Sequence, residues 1–218
     1  LMSSETFFSK NIEQFRHTLK AATSKSKLKL LSYFLNPIHW GLVKRLLKSN
    51  IACDHPFKIP YWSTQPYQYG NENTAVKYFL KPSAENKLTI ADTTDYNYLH
   101  RNMAKTLEAN EVHFDFCIQF QSNPDTMPIE DPTVAWTSPF IKVADIKILR
   151  QVFDTPEQME FGDNLSFDIW HSLPEHRPLG SFNRARKEAY EQLSKFRHKC
   201  NQIPILEPTA APDFLTKI

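Results

Sequence analysis

From Val112 to Gln121 the chain alternates without a break, with Val112, Phe114, Phe116, Ile118 and Phe120 on one side and His113, Asp115, Cys117 and Gln119 on the other. A period of two over that length predicts a β-strand with one buried face. A strand this apolar cannot stand alone, because its edges need hydrogen-bond partners and its greasy face needs a cover. Ala75 to Lys81 alternates in the same manner, and Phe140 to Leu149 does so again, with Phe140, Val143 or Ala144, Ile146 and Ile148 as core positions. Three strands make an open sheet. Either helices cover it in an α+β arrangement, or further strands ahead of Leu1 close it into a barrel.

Helical periods fill much of the rest. Phe7, Phe8, Ile12, Phe15 and Leu19 predict a helix over 5–21, and 30–49 reads as a helix interrupted at Asn36-Pro37, since proline disfavours helix in the residue before it. Lys27, Lys29, Lys44, Arg45 and Lys48 read as a solvated face of this pair, with contact to a membrane surface as the alternative. Tyr96 to Ala109 reads as a helix capped by Asp95, with Tyr96, Leu99, Met103 and Leu107 facing inward. Asp154-Thr155-Pro156-Glu157 opens another that runs to about Asn164, and Asn183 to His198 is the last, with Ala185, Ala189, Leu193 and Phe196 as its apolar residues. Residues 51–70, rich in Pro, Tyr and Trp, read as an extended arm closed by a turn at Gly70-Asn71. Asn123 to Pro132 reads as an ordered surface loop, and 201–218 as an extended or frayed tail outside the main domain of 1–200.

Composition removes several classes of function. The 218 residues, 41% hydrophobic and 23% charged, suffice for one sizeable core. With 26 basic and 24 acidic side chains there is no broad field to attract nucleic acid, and none is expected as a partner. Cys53, Cys117 and Cys200 are far apart and odd in number, which suggests neither a disulfide framework nor a zinc motif and points to a reducing, cytoplasmic compartment. No stretch reaches the roughly 20 apolar residues of a membrane span, so no stable membrane insertion is expected, and the start lacks an export leader. Leu1 in place of Met reads as a chain cut from something longer. His171, His176 and His198 match no zinc spacing, Cys117 reads as a buried inert thiol, and His17 and His113 read as satisfied or exposed. No nucleophilic triad appears, and four glycines offer no phosphate-cradling loop.

One pair carries chemistry. Arg186 and Tyr190 are four apart on the last helix and so share a face, which Leu193 and Arg197 continue. A tyrosine ordinarily loses its proton near pH ~10, so binding Fe(III) as phenolate near neutrality needs a neighbouring cation and the metal itself. Arg186 is placed to lower the Tyr190 pKa, and a guanidinium suits the role because it stays charged when buried. Arg197, three turns beyond Arg186, is placed for an anionic group such as a haem carboxylate. On spacing alone, an ordinary surface pair is the better explanation of Arg186 and Tyr190.

The surrounding order of features, from Phe7 to Arg197, resembles catalases, and more closely the short catalase-related haem proteins. Phe7-Phe8 followed by Phe15 is similar to the catalase segment that sets a phenylalanine against the haem. Tyr96 to Ala109 and Val112 to Phe120 resemble the family's helix and following long strand, Pro139 to Ala144 its last barrel strand, and Asn164 to Pro174 its approach to the proximal helix. His171-Ser172-Leu173-Pro174-Glu175-His176-Arg177-Pro178-Leu179-Gly180 is similar to a stretch characteristic of the short group. The resemblance implies haem b as cofactor, Tyr190 as iron ligand with Arg186 beside it, Phe15 against the haem and Arg197 on a propionate. It implies an α+β fold whose antiparallel sheet is the C-terminal part of a catalase-like barrel, with packed helices and a wrapping arm.

Two departures bear on turnover. The family's distal histidine lies in barrel strands that have no counterpart here, and its distal asparagine would fall near Met2 or Ser3. Cleaving a peroxide needs a group that accepts and returns a proton. The resemblance therefore leaves two expectations: a haem enzyme acting on hydrogen peroxide or an organic hydroperoxide, or a catalase-like scaffold without turnover. The arms at 51–70 and 201–218 are of a kind that embraces a neighbouring subunit, which makes a homo-oligomer a further expectation.

Overall fold

In the computed structural model, which describes residues 2–70, 74–90 and 93–205, the alternating segments form one antiparallel sheet. Its strands are β1 (Tyr61–Trp62), β2 (Tyr67–Gln68), β3 (Ala75–Pro82), β4 (Val112–Phe120) and β5 (Phe140–Ile148). β4 is central, paired with β3 on one edge and β5 on the other. The far edge of β3 is shared: β1 takes one end through Tyr61 and Leu80, and β2 the other through Tyr67 and Val76. Part of the expected arm is thus recruited into the sheet. A shift in register between Phe116 and Cys117 kinks the β4–β5 ladder. Asn71, in the expected turn, and the tail from 206 lie outside the described residues.

The alternation of β4 translates into burial in its first half; beyond Phe114 both faces are covered in part, with Phe116 and Phe120 half-buried and Cys117, Ile118 and Gln119 buried. Val112 and Phe114 join Phe57 and Leu107 in a core against which Tyr61, Leu80, Met103, Ile146, Ile148 and Phe153 pack. The cover over this face is α4 (Tyr98–Ala109), which turns Asn102, Thr106 and Leu107 inward. His55 pins the arm to it, with Nε2 at 2.8 Å from Thr106 Oγ1 and 3.1 Å from the Asn102 carbonyl, while Nδ1 accepts from the Phe57 amide. Burial pulls the pKa of this imidazole below its ordinary value, which suits a neutral ring acting through both nitrogens.

Several expectations need correction. Phe7 and Phe8 precede the first helix, α1 (Ile12–Ala22), because the Asn11 side chain accepts from the Gln14 amide and starts the helix there. The interrupted helix divides into α2 (Lys27–Leu35) and α3 (Trp40–Ser49) around a short 3-10 turn, Pro37–His39. Tyr96 is exposed instead of inward, since Asp95 caps a turn at Asn97 and the helix begins only after it. Phe140, Val143 and Ala144 on β5 are exposed, and only Ile146 and Ile148 reach the core. β5 has a partner on one side among the described residues, and of the three exposed residues only Phe140 has a ring contact, with Phe79 at 4.5 Å between centroids. After α5 (Pro156–Asn164) comes α6 (Ser181–Asn201), which is longer than expected at both ends.

Candidate functional site

α6 is held against the sheet through its first turn. Gly180 sits at φ +87°, and a Cβ there would come within 3.0 Å of the Ile129 carbonyl oxygen, so glycine is required for the chain to pass under that loop. The loop answers with Glu130, which accepts from the Ser181 amide and from both terminal nitrogens of Arg184. On the other side the stretch from His171 to Gly180 runs along β2: the Gln68 amide donates to the Arg177 carbonyl, Gly70 to Glu175, and Leu179 to Pro66. The segment singled out as characteristic therefore acts as a clamp that seats α6 against the arm.

Asn183 is fully buried at the centre of that clamp. Its Nδ2 donates to the Pro66 and Leu179 carbonyls at 3.0 and 2.9 Å, its own carbonyl accepts from the Trp170 indole, and its Oδ1 accepts from Arg186 Nη1 at 3.3 Å. These bonds aim the guanidinium. Arg186 donates twice to the Tyr190 hydroxyl, from Nη2 at 2.6 Å and from Nε at 3.1 Å. Its charge also acts on Tyr67, whose phenol is raised by burial and partly restored by that cation. Tyr67 in turn packs against Tyr78 at 4.8 Å between centroids, and burial pushes the Tyr78 pKa up to about 12.

Beside Arg186 an apolar groove of about 380 Å³ opens between α1 and α6. Phe15 and Leu19 line one wall, and Phe182, Ala185 and Ala189 the other. Phe15 is held by Phe7, Phe8 and Phe182, with centroids 5.6 to 5.9 Å away. The apolar surface continues along α6 through Leu193 and Phe196, which are 63% and 67% exposed.

Of the residues expected at a site, Phe15 and Arg186 thus share one groove, and Tyr190 is bound to Arg186 from half-buried surface one turn further on. Arg197 stands apart. Its guanidinium donates to the Leu165 carbonyl, about two turns beyond the last residue lining the groove. Met2, near the expected position of an asparagine, is paired through both backbone groups with Trp62. His198 is buried on Ser166, and His176 packs beside Tyr69. Among the described residues no three His, Cys, Asp or Glu side chains come together as metal ligands.

Sequence reasoning missed Tyr67 and Asn183. Tyr67 falls in a two-residue strand too short for a period to show, and Asn183 reads as one more polar residue at a helix start. It also missed Lys77, which is buried on β3 with its ammonium 4.7 Å from the Trp136 ring centroid and its pKa lowered by burial to about 8.

No protein-family model matches the chain, and no curated protein sequence matches it. Solved structures do. Catalase A from Saccharomyces cerevisiae aligns with a TM-score of 0.69 at 14% identity, over 93% of this chain and 47% of its own. A fungal catalase aligns with a TM-score of 0.71 at 14% identity, over 99% of this chain and 50% of its own. A bacterial catalase gives 0.68 at 15% identity, over 97% and 46%. The chain spans about half the length of the structures it matches, and what the likeness shows is a catalase-like fold: an antiparallel sheet with packed helices.

Proposed function

We propose, on the premise of that fold, that this chain is a haem-binding, catalase-like protein in which Tyr190 is the iron ligand, and that the whole protein acts on hydrogen peroxide or an organic hydroperoxide. The observation that carries the reading is the double hydrogen bond from Arg186 to the Tyr190 oxygen beside an apolar groove. The residues present fit a haem. A phenol oxygen facing two cationic donors is stabilised as an anion, which is the form that binds ferric iron. Walls of Phe15, Phe182, Ala185 and Ala189 suit the flat face of a porphyrin, with Leu193 and Phe196 extending the apolar contact.

In this reading haem b supplies the redox chemistry that breaks an O–O bond. The chain's own residues hold and shield. Tyr190 ligates, Arg186 keeps negative charge on the phenol oxygen, and Asn183 fixes Arg186 by accepting from Nη1. Phe15 would pack against the ring and exclude water, and Arg197 would hold a propionate in place of its bond to the Leu165 carbonyl. A second reading, a haem-binding scaffold without turnover, is favoured by the groove itself, whose lining among the described residues holds no His, Asp or Glu to move a proton.

Titration of the chain with ferric haem, followed by absorbance, tests the proposal. A Soret band with the charge-transfer absorption of a ferric phenolate is expected, and Tyr190→Phe should remove the latter. The same spectrum from Tyr190→Phe would overturn Tyr190 as ligand. Adding peroxide to the loaded protein then divides the readings: oxygen release or oxidation of a reducing donor supports an enzyme, and neither supports the scaffold.

A further inference from the structure

Between Glu13 and Asp54 the chain carries no Asp or Glu but eight Lys or Arg, although its overall balance is 26 basic to 24 acidic. One segment therefore holds a concentrated positive field on a protein whose remainder is net negative. That segment is α1, α2 and α3. Arg16 lies near Glu13 and Arg45 donates to the Phe8 carbonyl, but Lys25, Lys27, Lys29, Lys44 and Lys48 form no ion pair among the described residues.

The apolar residues of the same helices face outward. On α2, Leu28, Leu31 and Leu35 recur at three and four and form one stripe, 78%, 55% and 64% exposed. On α3, Trp40 and Leu47 form a second stripe with Ile51 just past its end, and Lys44 and Lys48 flank it. The Trp40 indole donates to the Leu35 carbonyl at 3.3 Å, and Ile38 in the turn between the helices is also exposed, so the two stripes meet. Beside them Lys20, Lys29, Ser24, Ser32 and His39 line a polar basin between α1 and α2. An exposed apolar ridge, a tryptophan at its middle, and unpaired lysines along it are the parts of a helix pair that lies in a lipid interface, with apolar side chains among acyl chains and ammonium groups among phosphates. No described helix is long and apolar enough to cross a membrane.

We propose that α2 and α3 dock this protein onto an anionic lipid surface, with the Leu28–Leu31–Leu35 and Trp40–Leu47 stripes inserted and the lysines on the headgroups. Lys20 lines both the polar basin and the apolar groove, so docking would set the mouth of the groove beside the membrane. The inference does not depend on haem.

Co-sedimentation of the full chain, without haem, with vesicles of phosphatidylcholine alone or mixed with phosphatidylserine at roughly two to one tests it. Binding is expected to the mixed vesicles, with a blue shift in tryptophan emission that Trp40→Phe removes. Neutralising Lys44 and Lys48 together as Gln should lower partition about thirtyfold, at ~1 kcal/mol for each cation near the surface. Both side chains are exposed, so circular dichroism should be unchanged in these variants. Equal binding to neutral vesicles, indifference to the lysine changes, or no binding would each overturn the proposal. So would self-association in sedimentation velocity that Leu31→Ser abolishes while vesicles are ignored, which would make the ridge a contact between copies of this chain.

Discussion

Phe114 on β4 and Phe196 on α6 are the same side chain in opposite states, 4% and 67% exposed. The first belongs to a region where every apolar face has been met: α4 above, β3 and β5 on either edge, and Phe57 from the arm. The second belongs to a helix anchored firmly at its first turn by Gly180, Asn183 and Glu130, yet open along the face that follows. Burying a Phe or Leu is worth about 1.5–3 kcal/mol, so a row of them left in water signals surface reserved for something else. The closed core is where stability resides. The open face is where a ligand would act.

Substitutions can break that contrast or sharpen it. Phe114→Ala should cost about 3–5 kcal/mol of unfolding free energy, read from denaturant midpoints, through lost burial and the cavity left behind. If it costs under about 1 kcal/mol, the closed core is not the seat of stability. Lys77→Met should stabilise by about 2–3 kcal/mol at neutral pH, because burial holds this lysine at about 8 in the folded chain. The sign follows from protons. Above about 8 the folded chain binds fewer protons than the unfolded one, so the parent should gain stability as pH rises from there to the ordinary lysine range, and Lys77→Met should lose that gain. Arg186→Leu should leave the melting temperature within a few degrees but weaken haem binding about tenfold or more, measured by titration, since the Tyr190 oxygen loses both donors. Smallest of all, Leu193→Ser should change stability by no more than about 0.5 kcal/mol, as an exposed substitution does, while still lowering haem affinity. Should Leu193→Ser destabilise as strongly as Phe114→Ala, the two regions are not different in kind.

Where a period and a partner agreed, structure was legible in advance. β4 is a strand over the nine residues that alternate, and Val112, Phe114 and Ile118 of the expected face are buried, while α5 starts at the expected Thr155-Pro156 cap with a reciprocal bond between Thr155 and Gln158. β5 alternates as well, but four of its six apolar residues are exposed, because alternation states which side chains share a face and not whether anything covers it. The same reason explains α2. Leu28, Leu31 and Leu35 repeat at helical spacing and point outward, where amphipathic logic alone would turn them in.

For the candidate site, spacing was enough to put Arg186 and Tyr190 on one face, since a helix brings residues four apart together whatever surrounds it. Its surroundings depended on contacts between distant segments. Tyr67 reaches Arg186 from a strand far back in the chain, Asn183 aims it by bonding to Pro66, and Phe15 meets Phe182 across two helices. Arg197, on the same helical face, bonds Leu165 because that loop folds back onto the helix end. Local geometry was written in the order of the residues; which faces were closed, and which left open, followed from how far-apart segments share one limited supply of apolar surface and hydrogen-bond partners.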